Sequence, residues 1–257
     1  MQFGLDVTDD LKRLFDEHLQ RGEILVIDGD LTIKDEDIAV IPFLRVRGNL
    51  VLQNLFHLRR IWGLEVAGDV VLERCDLLEK LPSKTVVGKT LTLSDNTLLA
   101  DLGADLHCQH LHIKSCASFT VLDIGINNIH SIHVEHCRNL DALSQSPTGW
   151  APQDLTVAYC GLRVLPPETS VGKNLTVKQC DAFESVGTNV VVGSNLDLSG
   201  CKGLRSIGKG LIVGGNLILR DTGLKQMLES EDMDVEGFID ARGTFLKSFP
   251  KGVTVMR

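Results

Sequence analysis

The chain lacks the features that most directly assign a function. Nowhere in its 257 residues does an apolar run approach the roughly 18 to 20 residues that cross a bilayer, so no membrane partner is expected. The opening Met1-Gln-Phe-Gly-Leu-Asp-Val-Thr-Asp-Asp10 has neither a basic start nor a hydrophobic stretch, and no cleavable signal peptide is expected. Positive charge is scarce. Lys and Arg number 26 against 34 Asp and Glu, a net −8, which disfavours phosphate backbones and argues against a nucleic-acid partner. Nucleophile-elbow, P-loop and zinc-protease motifs are missing. Seven cysteines leave one over in any pairing scheme. Reduced thiols fit better, in a protein that is cytoplasmic or secreted without a cleavable signal peptide.

What the chain does have is a repeat. Val213-Gly-Gly-Asn-Leu217-Ile-Leu219-Arg-Asp-Thr222-Gly-Leu224 overlays Val192-Gly-Ser-Asn-Leu196-Asp-Leu198-Ser-Gly-Cys201-Lys-Gly-Leu204, with one extra residue in the exit turn. Such self-similarity decides the fold before any local propensity does. Pairs of apolar residues with one residue between them recur eleven times, from Leu31/Ile33 and Leu50/Leu52 through Leu91/Leu93, Leu155/Val157 and Leu217/Leu219 to the weaker Ile239/Ala241. Their starts lie 19 to 23 residues apart. Each pair predicts a short strand with its first and third residues inward and the middle one outward.

Three residues beyond each pair runs a column of small polar or thiol residues: Cys75, Asn96, Cys116, Cys137, Cys160, Cys180, Cys201, Thr222 and Thr244. Side chains of this kind bond the backbone groups that a tight turn leaves unpaired, so the column is expected to be a structural ladder. Glu36 and Leu55 break it in the first two coils. Two further apolar columns begin at Leu78 and Leu81. Gly193, Gly214 and Gly215 recur at one repeat position, which marks them as turn residues.

The pattern Leu-x-Leu-x-x-Asn-x-x-Leu from Leu91 to Leu99, repeated with Cys in the Asn slot and with Leu81-Pro82, Leu165-Pro166 and Phe249-Pro250 on the return side, resembles the leucine-rich repeat. Its short period is similar to that of bacterial leucine-rich repeat proteins, including the repeat domains of secreted effectors. The lead-ins Ile27-Asp-Gly29, Val46-Arg-Gly48 and Val66-Ala-Gly68 are also similar to the L domains of receptor ectodomains. The resemblance implies a mostly β α/β-solenoid, right-handed, with a parallel concave sheet and a largely extended return side. It places about eleven coils over residues 24–257. Residues 1–23 are expected to form a helical cap, with Thr8 capping, Leu11, Leu14, Phe15 and Leu19 on one face, and Gly22 ending the helix. Lys251-Gly-Val-Thr-Val255 matches Lys209-Gly-Leu-Ile-Val213. The chain is therefore expected to stop just short of a twelfth strand, with an open last coil or as part of a longer protein.

Candidate chemistry is sparse. Six of the eight histidines, His107, His110, His112, His130, His133 and His136, cluster along the chain. Their spacing follows the repeat and not a metal motif, so no metal is expected. Cys108 stands outside the ladder as the one candidate reactive thiol. Asp197 and Asp240 share a sheet face about 9.6 Å apart, at the outer limit for paired catalytic carboxylates. Trp150 sits in a polar loop, Ser144–Gln153, as a candidate interface anchor. The resulting expectation is a non-catalytic, cofactor-free module that binds a protein through its concave sheet around His112, Lys114, His133 and Glu135, with Trp150 nearby. A bacterial effector or its recognition domain fits the resemblance. A carbohydrate-active or sugar-binding solenoid, and a structural protein assembling end to end through its C-terminal coil, stand as alternatives.

Overall fold

The computed structural model describes residues 7–123, 129–144, 151–227, 232–249 and 251–257. They belong to two compact units, Met1–Phe119 with Asn127–Ile129, and Thr120–Ile126 with His130–Arg257. Each unit is a stack of parallel β-coils, about 10 turns in all at about 21 residues per turn.

In the first unit a front sheet runs through Leu31–Lys34, Leu50–Gln53, Val70–Glu73, Thr90–Ser94 and His110–Lys114. Leu31 pairs with Leu50, Leu50 with Val70, Val70 with Leu91 and Leu91 with Leu111, the register that the apolar pairs predict. Alternation explains it: Leu52, Leu72, Leu93 and Ile113 are buried, while the residues between them face outward. Each fully buried aliphatic side chain contributes about 1.5–3 kcal/mol of transfer free energy. Behind the front sheet lies a lead-in sheet of Leu25–Ile27, Val40–Val46, Arg60–Val66 and Val86–Val87.

Coil length decides how the back of each coil is built. The coils that step 19 and 20 residues, Leu31 to Leu50 and Leu50 to Val70, use one seven-residue strand there. The next coil breaks its back at Leu81-Pro82-Ser83-Lys84-Thr85. Lys84 turns left-handed (φ 59°) and the buried Thr85 hydroxyl donates to the Pro82 carbonyl at 2.7 Å.

The second unit uses the same corner at Leu165-Pro166-Pro167-Glu168-Thr169, with Glu168 at φ 63° and Thr169 donating to Pro166 at 2.7 Å. Its return side, expected to be largely extended, is thereby divided. A return sheet of Val164–Leu165, Ser185–Val186 and Ser206–Ile207 is followed by a lead-in sheet of Ser170–Val171, Val191–Val192, Leu211–Val213 and Met233–Val235. With the front sheet from Ser131–Glu135 to Phe238–Asp240, these coils are three-sided.

Two expectations need correction. The helix spans Val7–Arg21, so Thr8 lies in its first turn and not at the cap. It ends as expected: Gly22 is left-handed (φ 66°) and the Glu23 amide donates to the His18 carbonyl at 3.1 Å, a Schellman closure. Leu11 and Phe15 are buried, Leu14 and Leu19 half-buried, and the helix packs on Val40–Val46. The second correction concerns the C-terminus. Thr254–Met256 does form a further front-sheet strand, with Val255 opposite Ile239. The likeness of Lys251–Val255 to a lead-in segment misleads because this last step spans only 16 residues, too few to build the two rear faces first.

Candidate interaction surface

At the exit of every front strand the backbone turns through one left-handed residue. The column reads Asp35, Asn54, Arg74, Asp95 and Ser115 in the first unit, and His136, Tyr159, Gln179, Gly200, Asp221 and Gly243 in the second. The thiol and amide column follows directly. Asn96 accepts from the Cys75 amide at 2.8 Å and donates to the Leu72 carbonyl at 2.8 Å. Cysteine thiols reach the equivalent carbonyl of the preceding coil: Cys75 to Leu52 (3.8 Å), Cys116 to Leu93 (3.7 Å), Cys160 to Val134 (3.9 Å), Cys180 to Val157 (3.7 Å) and Cys201 to Val177 (3.2 Å). Cys137 donates to the Glu135 carbonyl at 3.5 Å. Thr222 and Thr244 turn inward to their own coils, donating to Leu219 (2.9 Å) and Ala241 (2.6 Å). In the two coils where the pattern fails, Leu55 is buried and Glu36 half-buried.

All seven cysteines are buried and free. Burial pushes the Cys75, Cys108 and Cys201 thiols up to about 12. Cys160 is raised first by its hydrogen bond with the Cys137 thiol and then by burial, and Cys180 is raised by burial. A thiolate is the reactive species. Native chain at pH 8 should therefore react with a disulfide reagent roughly a thousandfold more slowly than unfolded chain. A stopped-flow or spectrophotometric thiol assay checks this; fast labelling of a single cysteine would identify Cys108 as the exception.

A second ladder, absent from the sequence reading, marks the start of each front strand. Asp30 accepts from the Asn49 amide (2.7 Å), Asn49 from Asp69 (2.9 Å) and Asp69 from Thr90 (3.0 Å). In the second unit Asn195 accepts from the Asn216 amide (2.9 Å) and Asn216 from Phe238 (3.1 Å). Its signal was available: Asp or Asn immediately precedes the first apolar residue in most coils.

The outward face of the front sheet carries the candidate site. In the first unit His112 and Lys114 are exposed on the strand His110–Lys114. In the second, His133 and Glu135 are half-buried on Ser131–Glu135, with His133 Nε2 3.6 Å from Glu135 Oε2. Trp150 and the loop 145–150 lie outside the described residues. His107 Nδ1 lies 2.9 Å from the Asp105 carbonyl, and His136 stacks on Tyr159 with ring centroids 4.7 Å apart. Among the described residues no three His, Cys, Asp or Glu converge as a metal would require.

The second unit departs from the expected pattern at Asp240. Its outward register position predicts exposure, yet the carboxylate is fully buried. Ile218 and Met256 flank it in the sheet, and Arg220 and Arg242 lie over it. Arg242 Nε donates to Oδ1 at 2.9 Å and its Nη2 to Oδ2 at 2.7 Å, while Arg220 Nε donates to Oδ2. Hydrogen bonds from Arg242, then from Arg220, outweigh burial and hold this carboxyl well below the usual range. Asp197 is likewise committed, to Lys178 Nζ at 2.7 Å and to Ser199. The two acids considered as a catalytic pair thus each serve a cation.

One surface residue escaped the sequence reading. Trp62 is 56 % exposed in the first unit, with the Arg60 guanidinium 4.3 Å from its ring. The alternation Ile61-Trp62-Gly63, with Gly63 under the Phe43 ring, was the cue. Set against known proteins, the chain matches no family model, no curated protein and no solved structure.

Proposed function

We propose that the chain is a non-catalytic protein-binding module of the leucine-rich repeat class, working through the outward columns of its front sheet. Right-handed winding, a concave front and a helix that caps the first coil belong to this reading. So does a role as a bacterial effector or as the recognition part of one. The observation that carries it is the character of the face: half-exposed Thr92, Thr156 and Thr176 alternate with His112, Lys114, His133 and Lys178 on rigid, register-locked strands. Side chains so held lose little freedom on association, which favours binding. Mixed polarity without a long single-sign field suits a protein surface better than a polyanion.

The test is affinity capture of a defined partner from bacterial and host lysates, with identification by mass spectrometry and confirmation with purified components. Wild type should retain the partner, and His112→Ala/His133→Ala/Glu135→Ala of equal melting temperature should lose it. Equal retention by both overturns the assignment to these residues. Concentration-dependent growth in light scattering with no partner would favour end-to-end assembly, and polysaccharide cleavage would favour the carbohydrate reading.

A further inference from the structure

On the second unit's front sheet the charges are layered. Acids lie beneath and cations on top: Asp197 and Asp240 side chains are 15 % and 0 % exposed, whereas Lys178, Arg220 and Arg242 are 46 %, 47 % and 49 % exposed. The three cations occupy one register column, with Ser199 between Lys178 and Arg220. Three coil steps of about 4.8 Å spread them over roughly 14 Å. In a chain of net charge −8, this strip presents positive charge outward.

Asp240 does more than neutralise. It takes both guanidinium groups at its two oxygens and, being buried between Ile218 and Met256, fixes where they stand. Arg220 uses only Nε, so both its Nη groups have no partner among the described residues. Arg242 uses Nε and Nη2 and keeps Nη1. Planar forks with unspent donors, already oriented, are the arrangement that binds carboxylates in bidentate fashion. A simple surface ion pair would leave both partners half-exposed and mobile. Here only the cations are exposed.

We propose that Lys178, Arg220 and Arg242 form a docking strip for an acidic protein segment, with Asp240 as its positioning residue. An extended segment advances about 3.3 Å per residue, so four to five residues carrying two or three carboxylates span the strip. The inference rests on the reading that the front sheet is the binding face, and it supplies the chemistry of the partner.

The experiment is fluorescence anisotropy of a fluorescein-labelled octaglutamate peptide with the full chain in 50 mM salt. Arg220→Gln leaves Asp240 held by Arg242, so that variant should keep its melting temperature while binding about tenfold more weakly. Asp240→Asn is the sharper arm. It adds net positive charge, so charge alone predicts tighter binding, whereas loss of the positioning carboxylate predicts weaker binding. Weakening in both variants, with wild-type affinity retained by His112→Ala/His133→Ala/Glu135→Ala, supports the strip. No binding by wild type, unchanged binding by Arg220→Gln, tighter binding by a folded Asp240→Asn, or equal affinity for octathymidylate would each overturn it. If Asp240→Asn melts early, Arg220→Gln decides alone. Partner loss on the histidine variant with no octaglutamate binding would refute the strip and leave the broader reading standing.

Discussion

Replacing Asn96 by leucine should cost the fold about 3 kcal/mol, because two buried backbone groups lose their only side-chain partner at about 1–3 kcal/mol each. Asn96 is fully buried and spans the turn of the preceding coil, accepting from the Cys75 amide and donating to the Leu72 carbonyl. Leucine matches its size closely, so packing loss is small and the unpaired amide and carbonyl dominate. Asn96→Cys should recover roughly half of that loss, because a thiol at this position reaches the preceding carbonyl, as Cys116 does with Leu93, but cannot accept as Asn does. Urea unfolding followed by far-ultraviolet circular dichroism measures both. Equal midpoints for Asn96→Leu and wild type would mean that the amide bridge carries no net stability.

Gly193→Ala should be as damaging, at about 3 kcal/mol or more, by a different route. An added Cβ would lie 2.1 Å from the Gly172 carbonyl oxygen of the preceding coil. The same corner holds the Gly193 amide on the Val171 carbonyl at 3.0 Å and the Gly214 amide on Val192 at 2.9 Å. Backbone faces backbone there, so neither side can swing away, and a methyl group separates the coils. Gly172→Ala provides the contrast. Its Cβ would meet Gln153 Nε2 at 2.7 Å, the far end of a flexible side chain. A much smaller drop in melting temperature is expected for Gly172→Ala than for Gly193→Ala. Equal drops would refute the backbone-contact account.

Front-strand register was legible in the sequence because two-residue alternation leaves little freedom: sliding Leu50-Val51-Leu52 by one residue exposes both leucines. The buried ladder was legible for a related reason, since Cys, Asn and Thr share the ability to bond a turn from inside. The left-handed column was not. Its members run from Asp35 and Arg74 to His136, Tyr159 and Gly200, residues with no common chemistry, because the turn between coils imposes the backbone angle whatever side chain sits there. Asp240 shows a different limit. Alternation placed it on the outward side correctly, but outward is not the same as exposed when two arginines and two apolar neighbours close over the carboxylate. At the C-terminus Lys251–Val255 resembles a lead-in strand locally, and the number of residues since Ile239, not their identity, puts Thr254–Met256 in the front sheet. The candidate site was only partly legible: the face is readable from alternation, whereas the layering of acids under cations depends on side-chain reach across coils.

The near-constant step between coils also bears on how the chain finds its fold. Within each unit a new front-strand pairing closes a loop of 16 to 23 residues, however far along the chain it occurs. Loop-closure entropy grows only as the logarithm of length, so these steps differ by about 0.3 kcal/mol. Entropy therefore gives no coil a head start. Which coil nucleates is left to local chemistry, such as the prolines at Pro82 and Pro166 that pre-shape their corners, and growth from there meets nearly the same barrier at every turn.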